Sequence, residues 1–162
     1  MTQPNDFTRA LKITLAFEGG NVDRADDPGG RTSRGVTQRV YDAYCAAHSL
    51  PAGDVYKMSE QDMEAIYYAQ YWVPVTQGRP WPLNAVLFDC AVNNGVGQTI
   101  RWVESAKARV PANDPKRMQL LAADVMKQRE GLFRWLAANR GMTWALKGWL
   151  SRLSSLRTQT NL

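Results

Sequence analysis

Two carboxyl groups in one short polar stretch are the side chains of this sequence best suited to acid–base chemistry. Glu18 ends an apolar helical pattern and is followed by two glycines, whereas Asp27 begins a D-P-G-G turn. Burial on a helix favours the neutral, protonated carboxyl, and a solvated turn keeps its carboxylate ionised. We therefore predict Glu18 as a general acid and Asp27 as its ionised partner, with the neighbouring Asp26 as the alternative partner.

Such a pair fits the cleavage of a glycosidic bond. That reaction needs an acid to protonate the leaving oxygen, and a second group to position water or to stabilise positive charge at the sugar carbon. The hydroxyl of Thr32, just beyond the turn, could hold the water. Carboxyl groups about 5 Å apart retain the configuration and groups about 6.5–9.5 Å apart invert it, and spacing along the chain does not decide between them.

The elements on either side of the turn must position these groups. Phe7, Leu11 and Leu15 repeat at helical spacing and predict a first helix, capped by residue 5 or 6, whose buried stripe continues to Glu18. The glycines at 19 and 20 then stop that helix. The Asn-, Asp-, Pro- and Gly-rich residues 21–37 predict a small hairpin or a two- to three-stranded ribbon.

The rest of the sequence predicts helices that are separated by short breaks. The strongly apolar segment 83–93 predicts a central buried helix. The other predicted helices cover about 37–48, 60–71, 97–110, 116–139 and 143–156, with a proline-rich loop over 72–82 and frayed residues at 158–162. The predicted fold class is α+β, mainly α, with a small β-hairpin next to a helical bundle.

Four further side chains are candidates for substrate contact. Asn93 and Asn94 end the central helix and are expected to face the hairpin, where their amides would bind N-acetyl or hydroxyl groups of a glycan. Helix capping is an equally good interpretation of both asparagines. Thr37 follows the turn and also caps the next helix, and Tyr41 would stack on a sugar ring, although aromatic residues at helical spacing are more often core.

Charge is distributed unevenly along the 162 residues. The net charge is +5, but residues 1–96 carry 8 Lys/Arg against 11 Asp/Glu, and residues 97–162 carry 12 against 4. The basic half suggests an anionic partner such as nucleic acid, a membrane surface or a cell-wall polymer, with solvated helix faces as the plain alternative. Because a helix-turn-helix pattern and an aromatic RNA-binding motif are both missing, no nucleic acid partner is expected.

Cysteine and histidine usage argues against metal or disulfide chemistry. Cys45 and Cys90 are expected to be reduced and buried, because the chain shows no signal peptide pattern. The one histidine, His48, lies near a helix end without a spacing typical of metal ligands. We therefore expect no metal, no cofactor, synthesis in the cytoplasm and a monomeric protein.

The motifs together resemble glycoside hydrolase family 108. That family's pattern is E-G-G, then D-P-G-G-x-T, then G-[IV]-T, and it is matched here by the segments that begin at Glu18, run from Asp27 to Thr32 and end at Thr37. F-D-C-A-V-N-N-G at 88–95 is similar to the family's second conserved helix. The segments R-E-G-L-F-R-W-L and K-G-W-L-S-R-L, within residues 129–153, resemble the peptidoglycan-binding region that follows the catalytic part.

The resemblance implies a bacteriophage endolysin. Such a lysozyme-like muramidase cleaves the β-1,4 bond between N-acetylmuramic acid and N-acetylglucosamine of peptidoglycan without a cofactor, and reaches the wall through a holin pore. It would form one compact domain over 1–162, with a catalytic part at 7–96 and a basic, peptidoglycan-binding-like part at 97–162. Contact of the basic C-terminal helices with the anionic cell envelope is a further expectation.

Two alternatives compete with hydrolysis. A lytic transglycosylase uses a lone glutamate and leaves 1,6-anhydro ends, and the hydrolase-like spacing of Asp27 and Thr32 argues against it. A non-catalytic module that binds cell wall or nucleic acid through the basic half would not need Glu18 at all.

Overall fold

The computed structural model describes residues 4–20 and 31–162, a mainly helical chain with one small sheet. The predicted carboxylates Asp26 and Asp27 therefore lie outside the described residues. The helices are α1 (Pro4–Leu15), α2 (Gln38–Ala47), α3 (Glu60–Tyr67), α4 (Val73–Thr76), α5 (Leu83–Asn94), α6 (Val96–Arg109), α7 (Arg117–Asn139) and α8 (Thr143–Thr160). A 3₁₀ turn covers Val55–Lys57, a π-helical turn covers Tyr68–Trp72, and the strands are β1 (Thr32–Ser33) and β2 (Val36–Thr37).

The sheet is a tight antiparallel hairpin. Thr32 lies opposite Thr37 and Ser33 lies opposite Val36. The turn between the strands has positive φ at both central positions, 48° at residue 34 and 80° at residue 35. This is the backbone twist that two-residue hairpin loops require. The predicted α+β class, with a small hairpin beside helices, is confirmed.

Helix α5 is the centre of the molecule, as its apolar sequence predicts. Leu83, Val86 and Leu87 pack into one core cluster, whereas Ala85 and Phe88 pack into a second one. The first cluster draws on α6, α7 and α8, and the second draws on α1, β2, α2 and α3. A helix buried on all sides in this way joins the two halves of the fold.

Helix α1 is shorter than predicted. It ends at Leu15, and the chain then tightens into turns in which the amide of Phe17 donates to the carbonyl of Thr14 (3.0 Å) and the amide of Glu18 donates to that of Leu15 (3.2 Å). Such three-residue closures commonly use up the last carbonyls of a helix. Glu18 therefore lies in a turn beyond the helix, and its predicted position on a buried helical stripe is wrong.

The first five residues of the predicted proline-rich loop over 72–82 are helical instead. The π-helical turn passes directly into α4, which begins at Val73 with Pro74 in its first turn. A proline is tolerated there because the first helical amides have no partner within the helix. The irregular connection is limited to residues 77–82.

The C-terminal residues are ordered, in contrast to the predicted fraying. Helix α8 continues to Thr160, whose buried hydroxyl donates to the carbonyl of Leu156 (2.7 Å). Arg9 of α1 donates to the carbonyl of Gln159 (3.2 Å), which ties the end of the chain to its beginning. Helices α7 and α8 are the two longest of the part of the chain described, and no helix in that part is long and apolar enough to cross a membrane.

Candidate active site

Glu18 lies where the hairpin and α8 meet. Its side chain is 21% exposed, and Oε1 accepts a hydrogen bond from Nη1 of Arg152 in α8 (3.0 Å). Oε2 faces the hairpin turn, because it would lie 3.4 Å from a Cβ atom placed on Gly35. The carboxyl group therefore has one oxygen tied to the C-terminal helix and one directed towards the hairpin.

Gly35 allows this close approach. Its φ of 80° strains any residue with a side chain, and a Cβ atom there would meet the hydroxyl of Tyr67. That hydroxyl donates to the carbonyl of Arg34 (2.8 Å) and so fixes the turn to α3. The glycine of the G-V-T motif is thus explained by local packing beside Glu18.

Two tyrosines frame the same carboxyl group. Burial raises the pKa of Tyr67, and the negative charge of Glu18 raises it further. Burial and then Glu18 also raise the pKa of Tyr71. Both phenols therefore stay protonated at neutral pH.

Arg152 is held by a buried ion network around Asp89. Its Nη2 donates to Oδ1 of Asp89 (2.8 Å) and its Nε donates to Oδ2 (3.1 Å), while Nη1 remains for Glu18. Arg129 of α7 donates to Oδ2 of Asp89 (2.7 Å), and the hydroxyl of Thr14 donates to Oδ1 (3.0 Å). One carboxylate of the central helix therefore orients arginines from both C-terminal helices.

The charges of this network balance one another in the interior. The side chains of Asp89 and Arg129 are 1% and 0% exposed, and that of Arg152 is 7% exposed. Burial alone would raise the pKa of Asp89, but the guanidinium groups of Arg129 and Arg152 outweigh it and hold that pKa below its usual range. Asp89 is therefore ionised at neutral pH.

The network extends to Asn93 at the end of α5. Arg129 uses its second terminal nitrogen to donate to Oδ1 of Asn93 (2.8 Å). Asn93 itself is exposed, whereas Oδ1 of the neighbouring Asn94 is buried without a hydrogen-bond partner among the described residues. The structure thus places Asn93 at the outer end of the chain of contacts that begins at Glu18.

The structure gives structural roles to two of the predicted substrate contacts. The Thr37 hydroxyl accepts from the amide of Val40 (3.3 Å) and caps α2. The ring of Tyr41 is only 9% exposed and lies in the second core cluster, so it has little surface left for a sugar. Stacking by Tyr41 is therefore corrected to core packing, because its helix turns that face inward. Thr32 lies in β1, and its role with a water molecule stays a prediction.

Metal and thiol groups give no support for other chemistry. Within residues 4–20 and 31–162, no group of three His, Cys, Asp or Glu side chains is placed to hold a metal ion. Cys45 and Cys90 are both buried and unbridged, and they lie in different core clusters. Burial raises the pKa of the Cys90 thiol to about 11, so this thiol is unreactive near neutral pH.

The sequence reasoning missed the arginines and Asp89. Asp89 carried a usable signal, because a carboxylate in the middle of an apolar helix requires a cationic partner. Arg129 and Arg152 carried no such signal, since 12 Lys/Arg occur in residues 97–162 and only the packing singles these two out. The contact between Glu18 and Arg152 spans 134 positions of the chain, which no local pattern can reveal.

Comparison with known proteins identifies relatives. The sequence profile described as Glycosyl hydrolase 108 matches residues 11–95, which is more than half of the chain and includes Glu18, Asp89 and Asn93. Curated protein sequences give no match. Among solved structures, a chain titled "Structure of Brucella abortus SagA" is similar, with 22% identity, a TM-score of 0.69 and coverage of 98% of this chain and 95% of that one. This likeness shows a shared fold over the whole chain.

Proposed function

The chain belongs to the glycosyl hydrolase 108 family, and we propose that it is a muramidase that hydrolyses the β-1,4 bond between N-acetylmuramic acid and N-acetylglucosamine. The family implies a glycoside hydrolase that acts on peptidoglycan. The observation that carries the finer proposal is the position of Glu18, partly exposed between the hairpin and α8. A carboxyl group in that place can meet a polymer and exchange a proton with it.

Glu18 is the general acid of the proposed reaction. It gives its proton to the glycosidic oxygen as the bond from that oxygen to the anomeric carbon breaks. The oxygen of a water molecule then forms the new bond to that carbon. Asp27, with Asp26 as the alternative, is the ionised partner that stabilises the sugar cation or takes the proton from water, and Thr32 is proposed to hold the water.

Arg152 supports this role of Glu18 in two ways. Its hydrogen bond to Oε1 fixes the carboxyl group and leaves Oε2 directed towards the hairpin, the side from which the substrate is proposed to approach. Its positive charge also stabilises the carboxylate that remains once the proton has been transferred. A preoriented cation of this kind is most effective in a site from which water is partly excluded.

Product analysis tests the reaction type. Muropeptides released from purified peptidoglycan are examined by mass spectrometry, with the wild-type protein and the Glu18→Gln variant compared side by side. The proposal expects reducing N-acetylmuramic acid ends from the wild type. Mainly 1,6-anhydro ends would show that the protein is a lytic transglycosylase and not a hydrolase.

A non-catalytic wall-binding module is the remaining rival. It would bind sacculi through the basic residues 97–162 and would release no fragments, and the Glu18→Gln substitution would change nothing measurable. The proposal expects the opposite. Glu18→Gln should still bind sacculi and fold normally, but it should fail to lyse cells whose outer membrane has been permeabilised.

We also propose that the tip formed by α7 and α8 contacts the anionic cell envelope. Trp144 is 80% exposed and Trp135 is 49% exposed, and the guanidinium of Arg140 lies over the ring of Trp135 (5.6 Å). Residues 131–162 hold five Lys/Arg and no Asp/Glu. Exposed tryptophan beside positive charge suits an anionic membrane surface. Trp144→Ser should weaken sedimentation with vesicles rich in phosphatidylglycerol, and unchanged sedimentation would refute this contact.

The biological setting is proposed from the same family membership. We propose an endolysin of a bacteriophage or prophage, made in the host cytoplasm and released to the wall through a holin pore, that acts as a monomer. Expression in a host with and without a co-expressed holin tests this setting. Lysis only with the holin is expected, and lysis at the same rate without it would contradict the proposed route.

A further inference from the structure

The ends of α1 and α5 lie on the same side of the molecule. Asn84, early in α5, donates to Asp6 early in α1 (2.7 Å), and Asp89 accepts from Thr14 late in α1 (3.0 Å). Because later residues of one helix meet later residues of the other, the two helices run in the same direction. Glu18, just beyond α1, and Asn93, in the last turn of α5, are therefore at one end of the bundle.

The contact with Arg129 fixes which way the Asn93 amide points. A guanidinium group has donors and no acceptor, so the atom of Asn93 that faces Nη2 of Arg129 at 2.8 Å must be the oxygen Oδ1. The NH₂ group then lies in the same plane, at the other edge of the amide from Oδ1. Asn93 is exposed, and its amide oxygen is already engaged with a buried cation. What it offers to a ligand is a hydrogen-bond donor.

From this geometry we propose that Asn93 is a substrate-binding residue of the same site, whose NH₂ group donates to an acceptor on the glycan, the carbonyl oxygen of an N-acetyl group. This inference rests on the proposed function and specifies one contact within it. An acetamido group is the acceptor that separates a peptidoglycan sugar from a plain hexose. An amide with its orientation locked discriminates more sharply than one that can turn over.

Asp89 couples this contact to the acid. Through Arg129 it orients the amide of Asn93, and through Arg152 it orients the carboxyl group of Glu18. The side chains of Asp89, Arg129 and Arg152 are buried, so their positions are set by the packing of α5, α7 and α8. Arg129 and Asp89 are thus positioning residues, and neither needs to touch the substrate.

Steady-state kinetics on soluble peptidoglycan glycan chains test the proposal. Asn93→Asp keeps an oxygen for Arg129 but replaces the donor by an acceptor, and it should raise KM about five- to tenfold while kcat stays within about twofold. Asn139→Asp, an exposed site at the end of α7, controls for the added negative charge and should leave both constants unchanged. An unchanged KM in Asn93→Asp would overturn the contact.

The acetyl group itself is tested with glycan chains before and after chemical removal of the N-acetyl groups. The wild-type protein should show a lower KM for the acetylated chains, and Asn93→Ala should lose most of that preference. If the preference is the same in both proteins, the acceptor is not the N-acetyl group and the assignment is wrong.

A double substitution tests the role of Arg129. Arg129→Lys keeps the charge near Asp89 but loses the fork that reaches Asn93, so it should raise KM as Asn93→Asp does. The two substitutions together should raise KM no further than either alone, because both remove the same contact, that of the Asn93 amide with the glycan. Additive effects would overturn the coupling. Failure of the proposed function is distinguishable, because a lytic transglycosylase would release mainly 1,6-anhydro ends and a binding module would release no fragments, whatever happens at Asn93.

Discussion

At the scale of single residues, Glu18 depends on its partners. The sequence places it at the end of an apolar helix and suggests that burial keeps its proton. The structure instead gives it a partly exposed position and one arginine, Arg152, that is fixed from behind by Asp89. Arg152 therefore shares its charge between Glu18 and a second carboxylate.

Arg152→Lys should separate the effect of the positive charge at residue 152 from the effect of its hydrogen-bond geometry. Lysine keeps the positive charge but cannot bind Asp89 and Glu18 at the same time, because it lacks the planar fork. We expect kcat to fall about 10- to 100-fold with little change in KM. The matched control is Arg134→Lys. Arg134 is exposed and pairs with Glu130, so this substitution should leave both constants unchanged. An equal effect of the two substitutions would argue against a positioning role of Arg152.

Gly35→Ala should disturb the hairpin next to Glu18. The new methyl group would meet the Tyr67 hydroxyl and would also sit at a φ of 80°. We expect the free energy of unfolding to fall by about 2–4 kcal/mol, from backbone strain and steric conflict together. Gly78→Ala has a similar φ of 74° but open space around it, and should cost only the strain, about 1 kcal/mol. Equal losses in urea unfolding would show that the Tyr67 contact is unimportant.

At the scale of elements, the cap of α2 and the central helix were readable from the sequence. The ends of α1 were not, because the helix begins at Pro4 and includes the residues 5 and 6 that were predicted to cap it. Thr37 and the apolar run of α5 carry local signals that the structure confirms. The end of α1 and the helical segment around Pro74 depend on how later parts of the chain pack, and local propensity is overridden there. Because α1 ends at Leu15, Glu18 lies beyond the helix that was predicted to end with it.

Thr37→Ala separates capping from substrate binding. Loss of the hydroxyl that caps α2 should lower the free energy of unfolding by about 1 kcal/mol. KM should not change, because that hydroxyl is engaged with a backbone amide. Thr37→Ser retains the cap and serves as the control. A raised KM in the alanine variant alone, measured at a temperature where it is fully folded, would restore the predicted substrate contact.

Asp89 of α5 makes the fold sensitive to acid. Because its folded-state pKa lies below the ordinary value of about 3.9, its stabilising effect is complete above that pH and is lost as pH falls through the lower folded-state pKa. We expect Asp89→Asn to be about 3–5 kcal/mol less stable at neutral pH, since two buried arginines lose their anion. Its stability should then fall less steeply than that of the wild type below about pH 4.

Urea unfolding between pH 2 and 6 provides the measurement. Asp124→Asn is the control, because Asp124 pairs with Arg109 at the surface and its loss should cost about 1 kcal/mol or less. If Asp89→Asn and the wild type lose stability in parallel as pH falls, Asp89 is not the acid-sensitive group.

At the scale of the whole molecule, the two predicted parts share one interior. The motifs at the start of the chain indicate the family and the site, and the profile match at 11–95 confirms the family. Where the basic helices lie was not predictable, since their charges form no local motif. In the structure α8 returns across the molecule and places Arg152 against Glu18, so the C-terminal part contributes a side chain to the candidate site. A single domain over 1–162 stays a prediction that can be tested directly.

The fragment 1–96 should not fold on its own. It would expose Leu83, Val86 and Leu87 of α5, which pack against α6, α7 and α8, and it would leave Asp89 buried or exposed without either arginine. We expect a fragment without a cooperative thermal transition by circular dichroism. A cooperative transition together with retained lytic activity would show that 7–96 is an independent catalytic domain.

The rate at which new reducing ends appear in purified peptidoglycan tests the central claim, that Glu18 is the acid of a glycoside hydrolase. Wild type, Glu18→Gln and the surface control Glu104→Gln are compared under conditions in which all three are folded. General acid catalysis contributes about 10²- to 10⁴-fold. We therefore expect Glu18→Gln to lose at least about 100-fold in rate while Glu104→Gln matches the wild type. A folded Glu18→Gln protein that releases reducing ends at the wild-type rate would show that Glu18 is not the acid.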